Sequence, residues 1–356
     1  MKMDAEKAAA AAGLRYVHDE MPGIGRQRWG KGFSYLLPDG DRIPSSPPAD
    51  SSAAKQRQRI EDLAIPPSWE SVWICLDPNG HLQATGRDAK GRKQYRYHPD
   101  WQTFRNLQKF DQMVPFGESL AVVRSQSASD LQASKLSRTK VVAAVVQLLD
   151  QTLIRVGNVE YAQKNQSYGL TTLRDRHVDI DQKAVNFHFV GKSGIEHSIT
   201  LEDPKLAKVV RQCRDIPGYE LFQYYDEAGE RQTVDSGDVN DYLKRVTGKA
   251  FTAKDFRTWA GTTVATCTLQ DLGDWSQETE AKSNVVAAIK AAANQLGNRP
   301  ATCRKYYVHP SVPKNYLAGE LLAQLAEAKQ QSHPNDYQRW LKGHEQMVLA
   351  LLQLAA

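Results

Sequence analysis

The sequence of 356 residues contains only four cysteines, and no two of them are close together. The CxxC spacing of a structural zinc site is therefore missing, and so is the compact cysteine pattern of a disulfide-rich secreted domain. We expect Cys75, Cys213, Cys267 and Cys303 to be reduced thiols of a cytoplasmic protein, most of them buried.

Other common signals are missing as well. There is no run of about 18 apolar residues, so a membrane-spanning helix is not expected. The N-terminal residues include Asp4 and Glu6 and lack a long apolar segment, which argues against a secretory signal. The sequence has no GxxxxGKS/T phosphate-binding loop, and its nine histidines form no HExxH motif. We therefore expect neither a nucleotide nor a metal as cofactor.

The composition is that of an ordinary globular protein with a small excess of positive charge. Hydrophobic residues make up 41% and charged residues 24% of the chain. The 46 lysines and arginines outnumber the 41 acidic residues, which gives a net charge of +5. This charge permits a polyanionic partner but does not establish one. The length favours one small and one large domain.

The residue pattern changes near Trp101, and we expect an α+β fold with two domains. Residues 1–22 are predicted to be a flexible N-terminus. Residues 23–100 are predicted to be a small β-rich domain, because short segments alternate polar and apolar residues between turns. Residues 101–356 are predicted to be a larger, mainly helical domain, since apolar residues there recur with helical spacing.

Within the larger domain, three segments alternate like strands and are predicted to form a three-stranded sheet. They are HVDID, AVNFHFV and EHSITL. The main segments with helical spacing are 138–154, 203–214, 236–246, 254–269, 278–296, 315–329 and 333–352. Ser137, which precedes the first of them, is predicted to cap that helix.

The segment GRDAKGRKQYRY, residues 86–97, is a candidate DNA-binding strand. It holds five basic residues against one acid, with two interleaved tyrosines. Basic side chains such as Arg92 and Lys93 neutralise phosphates, and tyrosines stack on bases or donate hydrogen bonds to nucleic acid. A solvated edge strand protected by charge explains the same pattern equally well.

Arg155 and Lys192 each have a structural and a functional interpretation. Arg155 follows a long apolar helical segment, where an arginine usually interacts with the helix dipole, although a fixed guanidinium also suits a phosphate. Lys192 lies in the turn GKSG between two predicted strands. Such a lysine is usually just exposed, but it can also deliver a proton to a leaving alkoxide. Taken alone, each residue favours the structural interpretation.

Arg257 and Tyr307 point more directly to an anion. Arg257, in the segment KDFRTW, has apolar neighbours and only Asp255 as an obvious nearby carboxylate, so a bound phosphate is a credible partner. Tyr307 lies in the cationic segment RKYYVHP. Tyrosine has a pKa of about 10 and is a poor nucleophile at neutral pH, but nearby cations favour its phenolate. Tyr306 is the better candidate for a core tyrosine.

Taken together, these segments resemble those of the bacterial, poxvirus-type DNA topoisomerases of type IB. The resemblance covers nearly the whole chain. It includes the N-terminal block IPPSWESVWICLDPNGHLQATGRDAKGRKQYRYHPDW and the later segments RVGN, YGLTTLRDRHV, FVGKSG, KDFRTW and LGNRPATCRKYYVHP. Tyrosine recombinases share the catalytic logic but not the N-terminal block.

The resemblance implies a role for each matching residue. Arg155 and Arg257 would bind the non-bridging oxygens of the scissile phosphate, and Lys192 would protonate the departing 5′ oxygen. Tyr307 would attack the phosphate and form a 3′-phosphotyrosyl enzyme. Asn298 stands where poxvirus-like members carry a histidine that bonds a phosphate oxygen. The matching DNA-contact residues are Gln94, Tyr95, Tyr97 and Tyr161.

The activity implied by the resemblance is relaxation of supercoiled double-stranded DNA without ATP or an essential metal. The enzyme would act as a monomer on one duplex, in the cytoplasm at the nucleoid. Two alternatives stay open at this point. One is a tyrosine recombinase that uses the same residues to exchange strands between paired sites, and the other is a DNA-binding protein that has no catalytic activity.

Overall fold

The computed structural model describes residues 5–30, 32–89, 91–331 and 341–354. The chain divides into two compact units, residues 1–109 and 110–356. The division falls inside a helix, Pro99–Asp111, whereas the sequence predicts the domain boundary at residue 100.

The first unit is a five-stranded antiparallel sheet with helices around it. Its elements are α1 (Ala5–Ala11), β1 (Gly23–Trp29), β2 (Gly32–Leu36), α2 (Ser52–Asp62), β3 (Glu70–Cys75), β4 (Leu82–Arg87), β5 (Lys93–Tyr97) and α3 (Pro99–Asp111). The strand order is β2-β1-β3-β4-β5. Ile60 of α2 packs on Ile24, Ile74 and Ala84 of the sheet, and all four are buried. The predicted β-rich character of this region is confirmed.

The N-terminal segment differs from the predicted flexible residues 1–22. Residues 1–4 lie outside the described part of the chain, but α1 follows them directly. Ala8 and Ala9 of α1 are fully buried in a cluster with Leu14 and Trp101. Alanine has the highest helix propensity, and its small side chain lets a helix pack closely. The alanine run therefore forms a packed helix.

The second unit is mainly helical. Its helices are α4 (Met113–Asp130), α5 (Arg138–Thr152), α6 (Val159–Asn165), α7 (Pro204–Arg214), α8 (Ser236–Thr247), α9 (Ala253–Leu272), α10 (Glu278–Gln295), α11 (Pro300–Tyr306), α12 (Ser311–Leu317), α13 (Leu321–Gln331) and α14 (Gly343–Leu354). Helix α5 lies in the middle of the main core, and Ser137 caps its N-terminus as predicted, with its hydroxyl accepting a hydrogen bond from the amide of Lys140. A second core forms around α10.

The predicted three-stranded sheet is confirmed. It consists of β6 (Val178–Ile180), β7 (Ala184–Val190) and β8 (Glu196–Glu202), paired antiparallel in that order. A further short hairpin, β9 (Gln223–Tyr225) and β10 (Arg231–Thr233), was not predicted. Its strands have three residues each, which is too short for an alternating pattern to be recognised.

Two helical predictions need correction. The segment predicted as one helix over residues 315–329 is split between α12 and α13, because the chain turns at Gly319, which has φ of +75°. Of the predicted final helix over 333–352, residues 333–340 lie outside the described part, Leu341 and Lys342 are not helical, and α14 begins at Gly343. Helix α11, which immediately precedes Tyr307, was not predicted.

Candidate active site

Arg257 is buried near the start of α9. Only 5% of the surface of this residue is exposed to solvent. The helix begins after Thr252, whose amide and hydroxyl both donate hydrogen bonds to the carboxylate of Asp255, at 2.7 and 3.0 Å. Asp255 is therefore used in capping α9. The carboxylate that the sequence offered as a partner for Arg257 has a different role.

Two hydrogen bonds of Arg257 go to main-chain carbonyl groups at two helix ends. One terminal nitrogen, Nη1, donates to the carbonyl of Leu153, which follows α5. The other, Nη2, donates to the carbonyl of Leu296 at 2.6 Å, just after α10. The C-terminus of a helix carries partial negative charge, so it stabilises a cation without neutralising it. The third nitrogen, Nε, is buried and has no hydrogen-bond partner in the described residues.

Burial, together with the nearby charge of Arg155, lowers the pKa of Arg257 to about 10, although Tyr307 acts in the opposite direction. Burial likewise lowers the pKa of Arg155, with Tyr307 again opposing. The two guanidiniums thus lie close together, largely out of water. Two buried cations in this position are costly unless an anion is bound between or beside them.

Arg155 lies just beyond α5, at a sharp change of chain direction. Leu153 ends the helix in the left-handed conformation, with φ of +57°. The carbonyl of Arg155 then accepts a hydrogen bond from the amide of Leu170 at 2.8 Å. A Cβ atom at Gly169 would lie 2.5 Å from that carbonyl oxygen, so only glycine fits there. These contacts fix the main chain from which the Arg155 side chain extends.

Asn298 is placed by the end of α10. Gly297 has φ of +55°, and its amide donates a hydrogen bond to the carbonyl of Asn294. The amide of Asn298 donates to the carbonyl of Ala293 at 2.9 Å. This pair of bonds is a Schellman motif, which the LGN sequence favours. The side-chain oxygen of Asn298 accepts a hydrogen bond from Arg155.

The orientation of the Asn298 amide follows from its partner. A guanidinium has only donors, so the oxygen of the amide must face Arg155 and the nitrogen must point away from it. This nitrogen, Nδ2, is buried and has no partner in the described part of the chain. With Nε of Arg257, it gives the site two buried donors that lack an acceptor.

Tyr307 joins this cluster through both its main chain and its ring. Its ring centroid lies 5.4 Å from the guanidinium carbon of Arg257. Its carbonyl accepts a hydrogen bond from the hydroxyl of Thr262 at 3.2 Å, and the same hydroxyl accepts one from the amide of His309 at 3.0 Å. A Cβ atom at Gly261 would lie 2.7 Å from the Tyr307 carbonyl oxygen. Helix α9 therefore holds both Arg257 and the segment that carries Tyr307.

The neighbouring Tyr306 is in a different environment. It is 37% exposed, and its ring centroid lies 5.4 Å from the ammonium of Lys305. The sequence suggested that Tyr306 would be the more buried of the two. The structure shows the opposite arrangement: Tyr307 is half-buried beside Arg257, and Tyr306 lies at the surface.

Lys192 forms no hydrogen bond or ion pair with the other four residues, all of which belong to the described part of the chain. It is exposed on the turn between β7 and β8, a short 3-10 turn in which Ser193 and Gly194 have φ of +67° and +74°. No hydrogen bond or ion pair of its ammonium is present in the described residues. The geometry accordingly leaves the Lys192 side chain able to move.

His197 is a residue of this site that the sequence did not single out. Burial lowers the pKa of its imidazole, and the charges of Arg155 and Arg257 lower it further. The ring is stacked on Phe189, with centroids 4.9 Å apart and planes inclined by 13°. One histidine in an alternating strand carries no signal of its own. That His197 lies near the site becomes visible only in the structure, from the pairing of β7 with β8 and from the position of the turn at Gly297.

In the first unit, three of the predicted DNA-contact residues share one face of β5. Lys93, Tyr95 and Tyr97 are exposed, and the two tyrosine rings are parallel, with centroids 5.8 Å apart. Lys93 forms an ion pair with Asp19 at 2.6 Å. The hydroxyl of Thr85 also donates to Asp19, at 2.9 Å.

Arg92 and Gln94 lie away from that face and share a different carboxylate. Both side chains donate to Asp88, at 2.6 Å and 3.0 Å respectively. The predicted basic strand therefore has part of its positive charge paired with acids. Tyr161, in the second unit, is 41% exposed on α6, whose N-terminus is capped by the side chain of Asn158.

Two further findings concern the described ranges alone. No group of three or more His, Cys, Asp or Glu side chains within them is arranged to hold a metal ion. None of the described helices is both long and apolar enough to cross a membrane. The four cysteines are free, and Cys267 is the one that is not fully buried.

Comparison with known protein families identifies the family of this chain. A family model described as the catalytic core of eukaryotic DNA topoisomerase I matches residues 98–332. A second model, the N-terminal domain of bacterial DNA topoisomerase IB, matches residues 32–88. The chain belongs to the type IB DNA topoisomerase family. The match to the N-terminal domain agrees with the block of sequence that separates these topoisomerases from tyrosine recombinases.

Similar proteins carry the same family name. DNA topoisomerase 1B of Acanthamoeba polyphaga mimivirus is 32% identical over 297 residues, which cover 81% of this chain and 85% of the viral protein. DNA topoisomerase 1B of Vaccinia virus (strain Copenhagen) is 22% identical, over 65% of this chain and 73% of its own length. As a type IB topoisomerase, the protein is an ATP-independent type I enzyme that relaxes DNA.

Proposed function

We propose that this topoisomerase cuts one strand of double-stranded DNA through a 3′-phosphotyrosyl intermediate at Tyr307, lets the other end rotate, and reseals the break. The observation that carries the proposal is the cluster of Arg155, Arg257, Asn298 and Tyr307, in which two buried donors lack an acceptor among the residues that the structure describes. A phosphodiester supplies the missing acceptors and the missing negative charge in one group.

In this proposal the scissile phosphate is bound by Arg155, Arg257 and Asn298. Nε of Arg257 and Nδ2 of Asn298 donate to its non-bridging oxygens, together with the guanidinium of Arg155. Negative charge grows on these oxygens as the phosphorus becomes five-coordinate. Donors that are already in place are therefore worth several kcal/mol in the transition state. Because main-chain carbonyls hold Arg257, the phosphate displaces no carboxylate when it binds.

Tyr307 is the nucleophile of the proposed reaction. Its phenolic oxygen loses its proton to solvent and forms a bond to phosphorus while the bond from phosphorus to the 5′ oxygen breaks. The guanidinium of Arg257 lies beside the ring, so the nucleophile and a cation that binds the phosphate are next to each other. The phosphotyrosyl ester keeps the energy of the phosphodiester, so the 5′ hydroxyl reseals the strand by the reverse reaction and no ATP is needed.

Lys192 is the proposed general acid. Its ammonium gives a proton to the departing 5′ oxygen, and a lysine on a flexible stem suits this task. Its lack of contacts in the described residues is consistent with a side chain that reaches the site only when DNA is bound.

Binding of the duplex is proposed to use side chains of each unit. Lys93, Tyr95 and Tyr97 present one charge and two aromatic rings on β5, and Arg92 and Gln94 add polar groups nearby. Tyr161 contributes from α6. We further propose a monomer that needs no nucleotide, acts at the nucleoid in the cytoplasm, and shares the catalytic fold of the tyrosine recombinases.

The test is relaxation of a supercoiled plasmid in the presence of EDTA. The wild type should relax the plasmid, and Tyr307→Phe should lose the activity and the covalent adduct, while Tyr306→Phe should keep both. Mass spectrometry of the adduct formed on a nicked substrate identifies the modified tyrosine. Relaxation that survives Tyr307→Phe, or an adduct on Tyr306, would overturn the assignment.

A further inference from the structure

His197 connects the two turns that carry Lys192 and Asn298. In β8 it is the cross-strand partner of Phe189, and the two rings are stacked. This stacking fixes the direction of the imidazole, because a parallel contact with a buried ring leaves the side chain little freedom. The outer edge of the ring, formed by Cε1 and Nε2, points toward main chain on both sides.

On one side the ring packs against the main chain just before Lys192. A Cβ atom at Gly191 would lie 2.6 Å from Nε2 of His197. The amide of Gly191 donates to the carbonyl of Ile195 at 2.7 Å and closes the turn. His197 thus supports the base of the turn from which the lysine extends.

On the other side the ring packs against the main chain just before Asn298. A Cβ atom at Gly297 would lie 2.6 Å from Cε1 of His197. Gly297 also has a positive φ, so two independent constraints require glycine at this position. One imidazole therefore fills the space between two turns that are far apart in the sequence.

The charges around His197 favour an uncharged ring. The cations whose fields reach it are those of Arg155 and Arg257, and both disfavour the imidazolium form, as burial does. A neutral, flat ring packs between the two glycines without repelling the guanidiniums of the site.

We propose that His197 is a positioning residue that sets the distance between the Lys192 turn and the phosphate-binding group Asn298. This inference rests on the proposed role of Lys192 as general acid. Lys192 has no contact of its own to hold it in the described residues, so its approach to the 5′ oxygen depends on how firmly the turn is held. A displacement of about 1 Å in such a group can cost about 100-fold in rate.

The experiment compares two DNA substrates in single-turnover cleavage. One is ordinary DNA, and the other has sulfur in place of the bridging 5′ oxygen at the cleavage site. A thiol has a pKa of about 8.5, so the sulfur leaves without needing a proton from an acid. A defect in delivering the proton is relieved by the sulfur substrate, whereas general damage to the site slows both substrates.

His197→Ala should cleave ordinary DNA at least about 10-fold more slowly and the sulfur substrate at nearly the wild-type rate. Lys192→Ala should show the same pattern with a larger loss. His188→Ala, which removes an exposed histidine from the same hairpin, is the matched control and should behave as the wild type. Equal binding of uncut duplex by all variants shows that they are folded.

Gly191→Ala gives a second test from the opposite side of the contact. The added methyl group should push on His197 and produce the same selective loss on ordinary DNA. In the double variant Gly191→Ala/His197→Ala the methyl group occupies space left by the ring, so cleavage should be faster than in Gly191→Ala alone.

The outcomes separate the two proposals. If the sulfur substrate rescues Lys192→Ala but His197→Ala is unimpaired, or equally slow on both substrates, the role of His197 is wrong and that of Lys192 stands. If the sulfur substrate does not rescue Lys192→Ala, Lys192 is not the general acid, and the inference about His197 is overturned with it.

Discussion

Arg155 donates a hydrogen bond to the side-chain oxygen of Asn298, and this bond turns the amide nitrogen of Asn298 into the site without a partner in the described residues. The pair acts as a unit. Arg155 fixes the orientation of the amide, and in the proposed complex the phosphate would supply the acceptor that the buried nitrogen lacks among the described residues.

The first prediction concerns this amide. Asn298→Ala should lower the rate of covalent adduct formation by about 100-fold, which is typical for loss of one transition-state donor. Asn298→Asp should lower this rate further, because it removes the donor and adds a negative charge next to the phosphate. Asn298→His keeps a donor and should retain more activity than either. Single-turnover cleavage measures all three, and an active Asn298→Asp would contradict the assignment.

The second prediction concerns Thr262, whose hydroxyl bridges the carbonyl of Tyr307 and the amide of His309. Thr262→Val leaves both main-chain groups without this partner. It should reduce the free energy of unfolding by about 1–3 kcal/mol and slow adduct formation. Thr262→Ser should restore both the stability and the rate of adduct formation. Denaturant unfolding measures the first, and single-turnover cleavage measures the second.

Thr266 is the matched control for that change. It is equally buried on the same helix, but its hydroxyl donates to the carbonyl of Thr262 within α9. Thr266→Val should therefore affect stability without a selective effect on cleavage. A similar slowing of cleavage in both valine variants would show that the Thr262 hydroxyl has no special relation to Tyr307.

The third prediction is that acid destabilises the protein through His177 and His309. Burial, joined at His177 by the charges of Arg176 and Arg174, lowers the pKa of each imidazole from 6.5 to about 4. Below pH 6.5 the unfolded chain binds a proton that the folded protein does not, so stability should fall as the pH drops from 6.5 to 4. Each histidine contributes up to about 1.4 kcal/mol per pH unit in this window.

Unfolding measured at pH 7 and pH 5 tests this linkage. His309→Gln and His177→Gln should each show a smaller difference between the two pH values than the wild type. The exposed His188 provides the control, and His188→Gln should leave the difference unchanged. An unchanged pH dependence in both of the buried-site variants would contradict the prediction.

The fourth prediction concerns the ion pair between Asp19 and Lys93. Asp19→Asn frees the lysine for a phosphate, so duplex affinity should rise at low salt. The slope of log K against log salt concentration should steepen by about 0.9, the value for one additional phosphate contact. Lys93→Gln should neither raise the duplex affinity nor steepen this slope. Asp39→Asn, which changes an exposed acid elsewhere in the first unit, should leave the salt dependence unchanged.

Local patterns predicted much of the fold. The apolar periodicity of α5, the cap at Ser137 and the alternating strands β6 to β8 are all properties of contiguous sequence. The short helix α11 and the break at Gly319 were missed because a few residues carry too little pattern. The packed α1 was missed because its burial depends on Trp101, which is remote in the chain.

The candidate site was predictable in its members but not in its contacts. Arg155, Arg257 and Tyr307 were singled out by their segments and Asn298 by the family resemblance, and the structure brings these four together. That Asp255 caps α9, that two helix ends hold Arg257, and that His197 lies between two turns all depend on long-range packing. The ion pair of Lys93 with Asp19 is equally hard to predict, since the two residues are far apart in the sequence.

Helix α9 has a consequence for strand rotation. It carries Arg257 and also binds the main chain of Tyr307, so in the proposed covalent intermediate the 3′ end of the cut strand would be attached to a helix of 20 residues. That end is then mechanically fixed, and torque in the duplex can be released only by turning of the end that carries the 5′ hydroxyl. The rigid anchor therefore keeps one side of the nick ready for resealing through every turn.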